Sequence, residues 1–168
     1  MRLTRFMLSI ITLGSLVFAL MVSPVIADAE LSTTLTPKSN YGRGWGITLG
    51  NPYIGVKYQP GSKFAYEIRV ASAFSGVNIY SARLYRYITA VGPFLTLAGL
   101  EGGVISFNKE PLEGSGFFGL LFAGIEYPIL KKLALTLDVG PAYISVSSGG
   151  VSSGGIEWVY NLGLYYDL

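Results

Sequence analysis

From residue 41 to the last residue, apolar side chains recur at nearly every second position, and a period of two sustained over such a length leaves little but β-structure to form. Beyond residue 27 no stretch reaches 18 consecutive apolar residues, so no helical membrane span is expected there. Eight strands are predicted, at 41–49, 53–59, 64–74, 77–88, 93–105, 116–127, 132–145 and 156–167. Turn-forming residues separate them: Gly50-Asn51-Pro52, Pro60-Gly61-Ser62-Lys63, Ser75-Gly76, the stretches 89–92, 106–115 and 128–131, and a Ser/Gly tract at 146–155.

The two faces of these strands differ in chemistry. One bears Trp45, Ile47 and Leu49, then Ile54, Val56 and Tyr58, and continues in the same way to Trp158, Tyr160, Leu162, Leu164 and Tyr166. The other bears Gly, Ser and Thr together with nine charges: Lys57, Glu67, Arg69, Arg83, Glu101, Glu126, Asp138, Glu157 and Asp167. Arg43 and Arg86 break the pattern, both near strand ends. A soluble sheet protein alternates as well, with its apolar face inward and its charges solvated. Two features favour the inverted arrangement, apolar outside and polar inside. Large aromatics gather near both strand ends of the apolar face, as in the girdles of membrane barrels. The polar face is rich in glycine and poor in lysine, unlike a solvated surface.

The segment before the alternation supports the same reading. Residues 1–27 have the form of a secretory signal peptide: Arg2 and Arg5, an apolar stretch at 6–22, a Ser23-Pro24 break, and Val25-Ile26-Ala27 at the expected cleavage site. The competing reading is a retained transmembrane helix, for which 17 apolar-rich residues lie at the lower limit. Residues 28–40 are expected as a periplasmic N-terminal segment and 41–168 as the barrel. Without Arg2 and Arg5 the chain carries ten basic and ten acidic residues, and this balance gives no reason to expect nucleic acid as a partner. The chain has no histidine and no cysteine, which excludes Ser-His and Cys-His catalysis, disulfides and nearly every transition-metal site. No cofactor and no metal are expected.

Connection lengths suggest an orientation. The stretches 106–115 and 146–155 are long and the even-numbered connections short, the pattern of barrels with short periplasmic turns and longer outer loops. The tract with Gly149-Gly150 and Gly154-Gly155 is expected as a flexible outer loop. No helix or lysine follows it, so it is no phosphate loop.

Residues 156–168, Ile-Glu-Trp-Val-Tyr-Asn-Leu-Gly-Leu-Tyr-Tyr-Asp-Leu, make an alternating strand that runs to the final residue. This closing strand, together with Gly92-Pro93-Phe94-Leu95-Thr96-Leu97-Ala98-Gly99 and Leu133-Ala134-Leu135-Thr136-Leu137-Asp138-Val139-Gly140, resembles the strands of small eight-stranded bacterial outer-membrane β-barrel proteins of the OmpA/OmpX type. Leu168 stands where such proteins usually end in phenylalanine. The resemblance implies an all-β, eight-stranded antiparallel up-and-down transmembrane barrel, with outer-membrane lipid and the barrel-assembly machinery as partners. Barrels of this size that act enzymatically on lipid use histidine, so no enzymatic activity is expected here.

An eight-stranded barrel is about wide enough to be filled by its own side chains, which argues against a general diffusion porin. Six inward acids face three inward bases, Lys57, Arg69 and Arg83, so pairing within the lumen is expected to be incomplete. Glu101, Glu126 and Asp138 are read as members of a structural charge network rather than as acid–base catalysts. Leu95, Leu97, Phe118, Leu120 and Phe122 also point inward, and form either a local plug or a pocket for a hydrophobic small molecule. Pro141, which lacks a ladder donor inside the seventh strand, marks either a tolerated kink or a lateral opening. The leading functional expectation is a structural or surface-interaction role with an external partner. The alternatives are a conduit or pocket for a small hydrophobic molecule, and a soluble lipocalin-like barrel with an apolar interior.

Overall fold

Alternating side chains on a half-buried sheet do form strands throughout. The computed structural model describes residues 43–61, 63–73, 76–109 and 112–168, and within these all regular structure is β-strand. The signal peptide expected at 1–27 and the periplasmic segment expected at 28–40 lie outside the described residues. The strands are β1 (Gly44–Gly50), β2 (Tyr53–Gln59), β3 (Phe64–Ala73), β4 (Val77–Val91), β5 (Phe94–Lys109), β6 (Leu112–Leu130), β7 (Leu133–Ser148) and β8 (Val151–Asp167). Each pairs antiparallel with the next, and β8 pairs with β1, so the sheet closes on itself as an up-and-down barrel.

The register fixes the tilt. Cross-strand partners lead from Leu49 through Ile54, Val70, Tyr80, Val104, Phe117 and Ser145 to Gly154 on β8. Leu49 itself pairs with Leu164. The stagger around the ring is therefore ten residues, which tilts the strands by roughly 40° from the barrel axis. At the end where β1 begins and β8 finishes, here the terminal end, the strands finish at similar heights. At the other, far end they do not. β1 and β2 have 7 residues each, against 16 to 19 in β5 to β8, so the wall climbs steeply from β1 to β8.

This corrects the expectation of long outer loops. The stretches 106–115 and 146–155 are not loops but continuations of β5, β6, β7 and β8. The Ser/Gly tract is an extended hairpin closed by Gly149-Gly150, both at positive φ, the two-residue turn whose twist matches that of the strands it joins. Serine and glycine have weak strand preference, yet here each residue of β8 from Val151 to Tyr166 has a ladder partner on β7. The asymmetry assigned to loop length is an asymmetry of strand height.

The expected division of faces is present. Ile68 is 68% exposed, Leu121 65% and Trp158 65%, whereas Lys57, Glu67, Arg69, Arg83, Glu101, Glu126 and Asp138 are all buried. Arg86 stands on the outer face, over the Phe64 ring at 5.8 Å. Tilted aromatic pairs such as Trp45–Tyr58 and Phe94–Tyr127 lie on the outside near the terminal end.

Candidate functional site

Alternation places one residue in two of every strand inside the barrel, and in a ring of eight strands these side chains meet across the axis. The polar ones sort into three hydrogen-bonded groups. Nearest the terminal end, Lys57 Nζ donates to Glu126 Oε2 at 2.9 Å and to the Tyr87 hydroxyl at 2.6 Å, while that hydroxyl lies 3.0 Å from the same carboxylate oxygen. The Lys57 ammonium also stands 3.7 Å from the centre of the Tyr165 ring. In the second group Arg69 grips Glu67 through Nε and Nη2, Thr48 donates to the same carboxylate at 2.6 Å, and the guanidinium stacks on Tyr53 at 3.8 Å. In the third, Arg83 presents its planar fork to Asp138 through two bonds of 3.0 and 2.8 Å. Its Nε lies 3.0 Å from Glu101 but off the hydrogen-bonding axis, and Ser81 and Asn161 complete the two carboxylates.

Two of these links cross the barrel. Lys57 on β2 has Glu67 as its register neighbour on β3, yet it bonds Glu126 on β6. Arg83 on β4 has Glu67 and Glu101 as neighbours in the ladder, and its bidentate partner is Asp138 on β7. They therefore staple opposite walls together. The space left among Lys57, Glu67, Arg83, Glu126, Asp138 and Tyr165 amounts to about 10 Å³, close to the size of one water. It borders Glu126, whose Oε1 has no protein partner. Among the described residues no cluster of three or more potential metal ligands converges.

The excess of inward acids resolves by position. Glu67, Glu101, Glu126 and Asp138 meet all three bases inside the barrel. The other two acids sit at the ends. Asp167, half-buried at the terminal end, accepts a 3.3 Å bond from Tyr165. Glu157 is on the inner face opposite Ala142 but is exposed, because β8 has no β1 neighbour at that height.

The expected apolar group is assembled as a plug. Leu97, Leu120 and Phe122 are buried together with Ala65, Tyr85 and Ala142, and Phe118 packs against them. Leu95 lies nearer the terminal end, half-buried and outside that cluster. Phe122 has a second role, since the Arg83 guanidinium lies 3.7 Å from the centre of its ring. Pro141 does interrupt the ladder: the β6–β7 pairing passes from Leu120↔Ala142 to Ala123↔Val139. The strands nonetheless stay close, since a Cβ on Gly140 would collide with the Leu121 carbonyl. The seam at Pro141 is tight rather than open.

Sequence reasoning did not name the lumen's uncharged partners, Thr48, Tyr53, Ser81, Tyr85, Tyr87, Asn161 and Tyr165. Their signal was parity, because all but Thr48 share the inward register of the charges on their strand, and Thr48 alternates with the outward Ile47 and Leu49. Compared with protein-family models and with curated protein sequences, the chain matches none.

Proposed function

We propose that this chain is a bacterial outer-membrane barrel with a closed, non-conducting lumen, serving a structural or surface-presenting role rather than catalysis. The observation that supports it best is the inverted distribution of chemistry, with apolar side chains over the outer face and ion pairs within. Such an exterior suits lipid, and a closed ring leaves no unsatisfied backbone edge where the strands pair. The same distribution speaks against the lipocalin-like alternative, which needs an apolar interior. In this reading residues 1–27 direct export and are removed after Ala27, and the barrel-assembly machinery inserts the remainder into outer-membrane lipid. Ions crossing the lumen would have to displace the partners of Arg83 and Lys57 in a space with room for about one water.

Two measurements test the reading. Reconstituted in a planar bilayer, the protein is expected to show no stable channel. Single-cysteine labels at Leu135 and Asp138, in a chain that otherwise has no cysteine, are expected to report lipid and lumen respectively. A stable conductance would contradict the closed lumen, and a lipid signal at 138 instead of 135 would invert the facing.

A further inference from the structure

The wall of the barrel is incomplete at its far end. β1 pairs with β8 only from Gly46↔Asp167 to Gly50↔Gly163, so among the described residues 151–162 of β8 have no partner on their β1 side. β2 likewise stops pairing with β3 at Tyr53↔Ala71. A window therefore stands above the short β1–β2 hairpin, bounded by the free edge of β8 and the end of β3. The outward side chains along that free edge are Ile156, Trp158, Tyr160 and Leu162, continuous with the apolar exterior below them.

Behind the window the inner surface changes character. Below, the inward charges from Lys57 to Asp138 are buried and paired with one another. Just above the plug stand inward apolar residues that are only half-buried, Ile79 on β4, Ile105 on β5, Phe118 on β6, Ile144 on β7 and Val159 on β8, with Ser148, Ser153 and Glu157 nearer the rim. Side chains that face the axis and remain accessible line a hollow. Its floor is the plug of Leu120, Phe122 and Ala142, over the Arg83–Asp138 layer. Among the side chains described, a charged group on this inner surface is Glu157, exposed at the rim.

We propose that this far-end chamber is a binding site for the acyl chain of a membrane lipid, which enters sideways through the gap between β8 and the β1–β2 hairpin. The inference rests on the membrane reading above. The apolar residues next to the plug offer an alkyl chain dispersion contacts and ask for no hydrogen bonds, which favours an acyl chain over a polar solute there. The path is lateral because the polar layer and plug close the chamber from below, while the window joins it to the lipid-type outer face. The free edge of β8 supplies the remaining specificity. Its unpaired N–H and C=O groups lie between two apolar faces and need partners. The ester or amide linkage and hydroxyls of an amphiphile can provide these while its chain lies inside.

The test uses the full chain folded into vesicles of phospholipid brominated on the acyl chains, with an environment-sensitive fluorophore on one introduced cysteine. A label at Ile144→Cys is expected to lose fluorescence in brominated vesicles about as strongly as one at Leu162→Cys on the outer face. A label at Leu97→Cys, inside the plug, is expected to be unaffected. Quenching at 162 without quenching at 144 would overturn the proposal while leaving the membrane reading intact. That is also the result expected if a strand of a second chain covers the β8 edge. Absence of quenching at both positions would overturn the membrane reading itself. Should the label at 144 prevent folding, Ile105→Cys on β5 is read in the same way.

Discussion

Lys57 shows what burial demands of a single side chain. Its ammonium is fully removed from solvent and held by a carboxylate, a phenol and the face of a ring. Removing one member of such a pair strands the other charge, at a cost of about 3–5 kcal/mol, whereas replacing both with apolar groups is often neutral or better. Lys57→Met is therefore expected to lower the urea midpoint of the barrel in vesicles strongly, and Lys57→Met combined with Glu126→Leu much less. If the double variant is no more stable than the single, the pair is not the unit of stabilisation. That Lys57 faces inward was legible, because Val56 and Tyr58 on either side are apolar. Its partner was not. Glu126 lies 69 residues away, and the choice between it and the adjacent Glu67 depends on which side chains meet across the axis. The same holds for Phe122, read as part of a plug or a pocket and found also stacked on Arg83.

Among the elements, the β7–β8 hairpin departs furthest from what its composition suggests. Ser147, Ser148, Ser152 and Ser153 and the glycines among them read as a loop, yet they form a ladder that ends in a two-residue turn. Local preference was outweighed by the neighbouring strand, and nothing in the tract itself reports that neighbour's length. The turn can be tested directly. Gly150 has φ of +81°, a conformation that costs a side-chain-bearing residue roughly 1–2 kcal/mol. Gly150→Val should lose about that much stability in equilibrium unfolding, while Gly149→Asn should change it little, since asparagine tolerates the left-handed region. An equal tolerance of both substitutions would mean that the tract does not hold this turn. The early strands were more legible. Both ends of β2 were predicted as found, because Pro52 and Pro60 bracket an uninterrupted alternation.

For the whole molecule, facing could be read from the sequence and height could not. Parity decides which side chains point inward, but the ten-residue stagger follows only when all eight pairings are known together. Leu135 lies on the outer face, and an arginine there is expected to cost about 2–4 kcal/mol if that face meets the middle of a membrane. Leu135→Arg should shift the urea transition in vesicles accordingly, and a cost near zero would place the residue away from the hydrocarbon. The staples across the lumen have a further consequence, for the order of assembly. Lys57 is synthesised long before Glu126, and Arg83 long before Asp138, with 69 and 55 residues between the partners. In a nascent β2–β3–β4 sheet Arg69 and Glu67 neutralise each other, but Lys57 and Arg83 find their partners only on later strands, so such a sheet cannot enter hydrocarbon on its own without exposing two cations. Only when β6 and β7 arrive does the inner surface become self-sufficient. For a barrel that enters a membrane as proposed, insertion and closure are in this way tied into one late, concerted step, and the charges that finally lock the barrel are the same ones that delay it.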